Sequence, residues 1–217
     1  MTVEDQLKER LDAARLHAIP IRELTESDRP ALLTHLLGLG PDDRYLRFGS
    51  PLGDPIIKNY VDGIDLIHDE VFGVFNGHLE LIAAGHFAIS RPDAANPSAP
   101  RSAEFGLSVS SAGRGKGIGT ALFVRAATHA RNEGISVLFM HCLTQNKPMM
   151  RIARKAGMQI SSSFGEANAF ITLPPGDAAS RVAEAMQEQI ALFDYAMKRR
   201  MAGVRSWWPA LASVEPS

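Results

Sequence analysis

The chain has 217 residues, 45% apolar and 22% charged, with a formal net charge of -1. Such a composition at this length fits one globular domain with additions and a buried core. The charge balance argues against a nucleic-acid partner, and no run of about 18 apolar residues is present to span a membrane.

The N-terminus is charged and has no signal-peptide core, which places the protein in the cytoplasm. Glu4 to Leu16 sets Leu7, Leu11 and Ala14 at helical spacing, predicting a surface helix within an extension over residues 1–18. The domain proper then runs over 19–173. Ile19 to Leu24 reads as its first strand, and Thr25-Glu26-Ser27-Asp28 supplies cap residues for a helix through Leu37. A second short helix is expected at Asp54 to Asp62. Val71 to Phe75 and His78 to Ile89 flank Asn76-Gly77, the favoured pair for a two-residue type I′ turn, and so predict a hairpin. The proline-rich segment Arg91 to Arg101 is a loop leading to a strand at Ala103 to Val109.

Gly113-Arg114-Gly115-Lys116-Gly117-Ile118-Gly119-Thr120 follows, with a glycine at every second position, just ahead of an amphipathic helix marked by Ile118, Leu122 and Ala126. Glycines let backbone approach a ligand and take positive φ, and the helix start aims free N–H groups and a positive dipole end at it. This is a cradle for an anion, best a phosphate group. The helix closes at Asn132-Glu133-Gly134, and a buried strand runs to Leu143. That strand holds the sole cysteine, Cys142, which reads as a small buried hydrophobe and suits a reducing compartment. Asn146 to Ala156 is the next helix, ended by Gly157, before a closing pair of strands at Gln159 to Ser163 and Asn168 to Leu173.

Pro174-Pro175-Gly176 ends the domain. In the extension over 174–217, Val182, Met186, Ile190, Phe193 and Met197 share one helical face that must be covered, by docking onto the domain or by pairing with a second copy. Trp207, Trp208 and Pro209 suit either outcome. No histidine or acidic residues stand at zinc or calcium spacing, so no metal is expected.

The glycine register decides among phosphate ligands. A P-loop needs glycine and Ser/Thr where Ser110 and Gly117 stand, and a Rossmann fingerprint needs glycine where Ile118 or Thr120 stands. The segment does match Arg/Gln-x-x-Gly-x-Gly/Ala through Arg114, Gly117 and Gly119, and resembles the coenzyme A pyrophosphate loop of the GNAT superfamily of N-acetyltransferases. Ala103 to Val109 looks like the family's fourth strand, and Asn146 to Met158 like its asparagine-led helix; Met149 to Gly157 is closest to the protein-lysine acetyltransferase (Pat-like) branch. The resemblance implies an α/β fold, a mixed and mostly antiparallel sheet flanked by helices, here with an extra helix at each end.

It further implies acetyl transfer from acetyl-CoA to a primary amine, on a protein lysine or a small molecule. That chemistry needs a base for the amine, donors for the oxyanion and a proton for the departing thiolate. Glu104 matches the family's base, on a strand face shared with Gly106 and Ser108, where desolvation would raise its pKa; the other reading is a solvated glutamate on the outer face of the sheet. Leu107, Ser108 and Val109 would splay from the neighbouring strand and meet the pantetheine arm, with the N–H near Val109 as oxyanion donor. Arg114, Gly115, Lys116, Gly117, Ile118, Gly119 and Thr120 would hold the pyrophosphate, although Arg114 and Lys116 also read as solvated loop residues. Asn146 matches the asparagine that contacts the arm, and equally reads as a helix N-cap. Where many members carry a tyrosine acid, this chain has Ala153, so the acid is unassigned among Ser108, His141, Tyr45 and solvent. Asp42 to Phe48 lies where the family walls its acceptor site, or is a turn whose aromatics enter the core. A binding module that kept the acyl-CoA site and lost catalysis is the alternative reading.

Overall fold

The computed structural model describes residues 18–90 and 99–212, with side chains to Gly203. The expected N-terminal helix, most of the Arg91 to Arg101 loop and the Trp207-Trp208 side chains lie outside the described residues. Strands β1 (Arg22–Glu23), β2 (Glu70–Phe75), β3 (Leu81–Ile89), β4 (Ser102–Val109), β5 (Val137–Leu143), β6 (Gln159–Ser163) and β7 (Glu166–Thr172) form one sheet in the order β1-β2-β3-β4-β5-β7-β6. Every pairing is antiparallel except β4 with β5.

Alternation along the strands sends apolar side chains to both faces of the N-terminal half of the sheet. On one face Phe72, Phe87, Phe105 and Leu138 meet Leu122 and Ala126 of α4 (Ile118–Asn132) and Met149 and Ile152 of α5 (Lys147–Lys155). On the other, Val71, Phe75 and Ala84 meet Leu32 and Leu36 of α1 (Arg29–Leu37) and Ile57 and Val61 of α3 (Asp54–Asp62). Between α1 and α3, the segment read as acceptor wall or turn is a helix of its own, α2 (Pro41–Phe48), started by Pro41 and stopped by Gly49 at φ 74. Cys142 is buried with its Sγ 3.8 Å from Met150 Sδ, as expected of a core residue, and Met158 is buried as well.

The first strand and the hairpin differ from the sequence reading. Pro20 has no N–H for a ladder, so pairing with β2 is short: Arg22 and Glu23 pair with it and Leu24 N donates to Val71 O at 2.7 Å. The β2–β3 connection spans residues 76–80, and positive φ falls on Leu79 (63°), not on Gly77. The Asn76 side chain explains this: its Oδ1 accepts from the N–H groups of His78 (2.9 Å) and Glu80 (3.0 Å), an Asx-type turn that replaces type I′.

Helix α6 (Ala178–Ala212) docks on the domain along α4 and β1, but not by its apolar stripe. Glu184, Glu188, Ala191, Tyr195 and Lys198 face inward. Arg125 bonds Glu184 and Glu188, Tyr195 packs edge-on against Phe75, and Lys198 Nζ donates to Phe75 O at 2.9 Å. Val182, Met186, Ile190, Phe193 and Met197 lie on the opposite side, exposed.

Candidate active site

Strands β4 and β5 pair only at Ser102↔Val137, Ala103↔Leu138 and Glu104↔Phe139. Beyond that β4 stays with β3 to Val109 and β5 with β7 to Leu143, so the two strands part and leave a gap in the sheet. Ser102 O accepts from Ser90 N and Ser110 N donates to Ile82 O, which fixes the even-numbered backbone groups of β4 on the β3 side. By alternation Leu107 and Val109 turn their N–H and C=O groups into the gap.

The glycine loop closes one end of it. A single 3₁₀ turn at Ser111–Gly113 leads to Gly115 and Gly117, which take φ of 73° and 79°, the left-handed region that side chains resist. Gly117 caps α4, and the first helical bond runs from Ala121 N to Gly117 O, leaving the N–H groups of Ile118, Gly119 and Thr120 at the open helix start.

Gap and loop border a cavity of about 510 Å³. Of the residues expected to hold the coenzyme, Leu107, Ser108, Val109, Arg114, Gly115, Gly117, Ile118, Gly119, Thr120 and Asn146 all line it; Lys116 does not, and donates instead to Ala112 O at 2.8 Å. Arg114 is half exposed and paired with Asp43 of α2 at 2.5 Å. Asn146 is the N-cap of α5: its Oδ1 accepts from Met149 N at 3.2 Å and its Nδ2 donates to Leu46 O at 3.2 Å. The arrangement suits a long ligand with an anionic end, offering backbone pairing along a strand and a nest of N–H groups.

Glu104 is the last paired residue before the strands part, and it is exposed. The desolvation expected from sequence is therefore not supplied there. On the same face of β4, Arg47 lies flat over Gly106, where a β-carbon would come within 2.8 Å of its guanidinium. Arg47 donates to Tyr60 Oη (3.0 Å), the Tyr60 hydroxyl to His86 Nδ1 (2.8 Å), and His86 Nε2 faces Asp69 at 3.3 Å. Burial pushes His86 below the usual histidine range, helped by the Arg47 charge and opposed by Asp69. Of the substitutes for the missing tyrosine, His141 and Tyr45 are exposed and do not line the cavity, whereas Ser108 is buried, lines it and bonds His35 of α1. Sequence reasoning missed His35, Tyr60, Asp69 and His86. They come from α1, α3, the approach to β2, and β3, and no local spacing links them.

Residues 58–158 match the acetyltransferase (GNAT) family. No curated protein matches the chain by sequence. The GNAT domain of PAT from S. lividans aligns with a TM-score of 0.57 at 24% identity, covering 70% of this chain and 89% of that one. A ribosomal-protein-alanine N-acetyltransferase from Brucella melitensis aligns at 0.54 and 20% identity, covering 70% and 99%. RimL, a ribosomal L7/L12 N-acetyltransferase solved in complex with coenzyme A, aligns at 0.53 and 19%, covering 70% and 93%. The chain carries an acetyltransferase domain of the GNAT superfamily, a family of acyltransferases, in the GNAT fold.

Proposed function

We propose that the protein transfers an acetyl group from acetyl-CoA to a primary amine, on a protein lysine or a small molecule, by direct attack. The observation that carries this reading is the cavity that runs from the end of β4, beyond its parting from β5, to the glycine-loop helix start. Leu107 and Val109 backbone groups bind the pantetheine arm, the N–H near Val109 stabilises the oxyanion, and the N–H nest from Gly115 to Thr120 binds the pyrophosphate with Arg114. Lys116 adds charge at the rim, and Asn146 borders the arm while capping α5. Glu104, exposed beside the point where the strands part, takes a proton from the amine through a water and passes it to solvent. The exposed stripe of α6 supports a homodimer formed through that helix, and the domain works in the cytoplasm without a metal.

Thermal unfolding with acetyl-CoA, against ATP and NAD, tests the coenzyme assignment: ligand at a hundred times its Kd adds about 2.7 kcal/mol. Stabilisation by acetyl-CoA alone is expected, and none at saturation would sink the reading. Glu104→Gln then separates an enzyme from a binding module. An enzyme loses turnover, by about 100-fold, while still binding acetyl-CoA; unchanged rate and pH profile would remove Glu104 as the base.

A further inference from the structure

His35 and Ser108 form a pair whose proton positions the structure fixes. His35 Nδ1 lies 2.9 Å from Leu81 O, and a carbonyl only accepts, so Nδ1 carries the ring proton. Nε2 is left as an acceptor, 2.8 Å from Ser108 Oγ, and the Ser108 hydroxyl donates to it. Ser108 Oγ thus has lone pairs to offer to whatever enters the cavity that Ser108 lines. Both side chains are buried, His35 at 6% and Ser108 at 7% exposure. A polar group, a ring base behind it and a carbonyl that orients the ring make the arrangement of an acid–base relay.

Acetyl transfer to a protonated amine forms one N–C bond, breaks one C–S bond and takes two protons from nitrogen. One leaves for solvent, and the other must end on sulfur. Resting on the acetyl-CoA reading above, we propose that Ser108 and His35 carry that second proton: Ser108 Oγ accepts it from nitrogen while passing its own to His35 Nε2, and the path reverses to protonate the sulfur as the C–S bond breaks. The pair fills the role left open by Ala153, and Glu104 keeps the first proton.

The surroundings favour return of the proton over its retention. Burial pushes His35 below the usual histidine range; its hydrogen bonds to Leu81 and Ser108 work against this, and the Arg47 charge adds to it. Arg47 of α2, Tyr60 of α3 and His86 of β3, itself beside Asp69, face the same small recess as Ser108. No carboxylate touches His35 to hold it charged among the described hydrogen bonds.

The test compares the histidine ring ¹⁵N spectrum of the wild-type protein with coenzyme A and with desulfo-coenzyme A, which lacks only the sulfur. The His35 resonances should differ between the two ligands, and the difference should vanish in Ser108→Ala. Identical His35 shifts with both ligands bound would overturn the relay and leave the coenzyme reading intact; absence of binding by either ligand would overturn both. In thiol-release assays with a lysine peptide, Ser108→Ala should lower kcat about 100-fold with KM for acetyl-CoA nearly unchanged, and Ser108→Thr should restore most of the rate. A Ser108→Ala enzyme with the wild-type kcat and pH profile would overturn the relay as well.

Discussion

His129, under the C-terminal helix, and His35, behind the cavity wall, are both buried, yet they sit on opposite sides of neutrality. Burial disfavours charge on each. At His129 two carboxylates outweigh it: Nδ1 meets Glu184 at 2.7 Å and Nε2 lies 2.8 Å from Glu70, raising its pKa to about 9. Glu184 is partly buried, but His129, Asn132 and Arg125 hold it down at about 2. At His35 the partners are a carbonyl and a hydroxyl, and the nearby charge is the positive Arg47, so the ring stays neutral. The same side chain is a fixed cation where it joins elements and a neutral relay where it stands behind the cavity wall. What differs is the charge of its neighbours, not its depth.

The joint is where breakage costs most. Glu184→Ala strips Arg125 and His129 of a shared partner and leaves buried positive charge, a loss of about 3 kcal/mol for a pair of this kind. Chemical denaturation should show that loss, with hydrogen exchange accelerated first in α6; a loss below about 0.5 kcal/mol would mean the network is incidental. The pH dependence has a defined sign. Because the folded His129 pKa lies above its ordinary 6.5, its contribution is complete below about 6.5 and is lost as pH rises through about 9. The full effect is on the order of 3 kcal/mol, and His129→Gln should flatten that limb of the stability curve. Glu184 acts at the other end, its contribution complete above its ordinary 4.5 and lost as pH falls toward about 2.

At the cavity the backbone matters more than charge. Gly117→Val forces a β-branched residue to φ 79° at the start of α4, costing about 1–2 kcal/mol of stability. A larger effect is expected on acetyl-CoA, since the same substitution disturbs the N–H nest: affinity by calorimetry should fall at least about tenfold. Retained affinity would show that the anion is held by side chains rather than by the loop.

Why the glycine loop was legible, and the joint was not, follows from how each is built. Gly115 and Gly117 act through local backbone geometry, so their spacing alone carries the information. The order of strands and helices followed from periodicity in the same way. Periodicity also put Val182, Met186, Ile190, Phe193 and Met197 on one face of α6, but could not say which way that face points; Glu184, Tyr195 and Lys198 decided it by finding partners in distant elements. The Asn76-Gly77 turn failed because a side chain, not the glycine, organised it. His35 with Ser108, and Tyr60 with His86 and Asp69, meet only through sheet register and helix docking. Alternation put Glu104 on the strand face of Gly106 and Ser108, but its exposure depends on what packs over that face.

Arg114 gives the smallest and sharpest contrast with the joint. Arg125 is buried and held by two carboxylates, whereas Arg114 is 52% exposed and, among the described residues, ion-paired with Asp43 alone. A cation held this way can change partners. Asp43 stands beside the glycine loop, so any anion bound there competes with it for Arg114 and meets its negative charge. Asp43→Asn removes both penalties without disturbing a buried group, and should tighten acetyl-CoA about threefold, an effect that high salt erases. Arg114→Ala should weaken binding by a similar factor, and in that background Asp43→Asn should gain less than it does alone. If Asp43→Asn weakens binding instead, the pair positions Arg114 for the ligand and Asp43 belongs to the binding machinery.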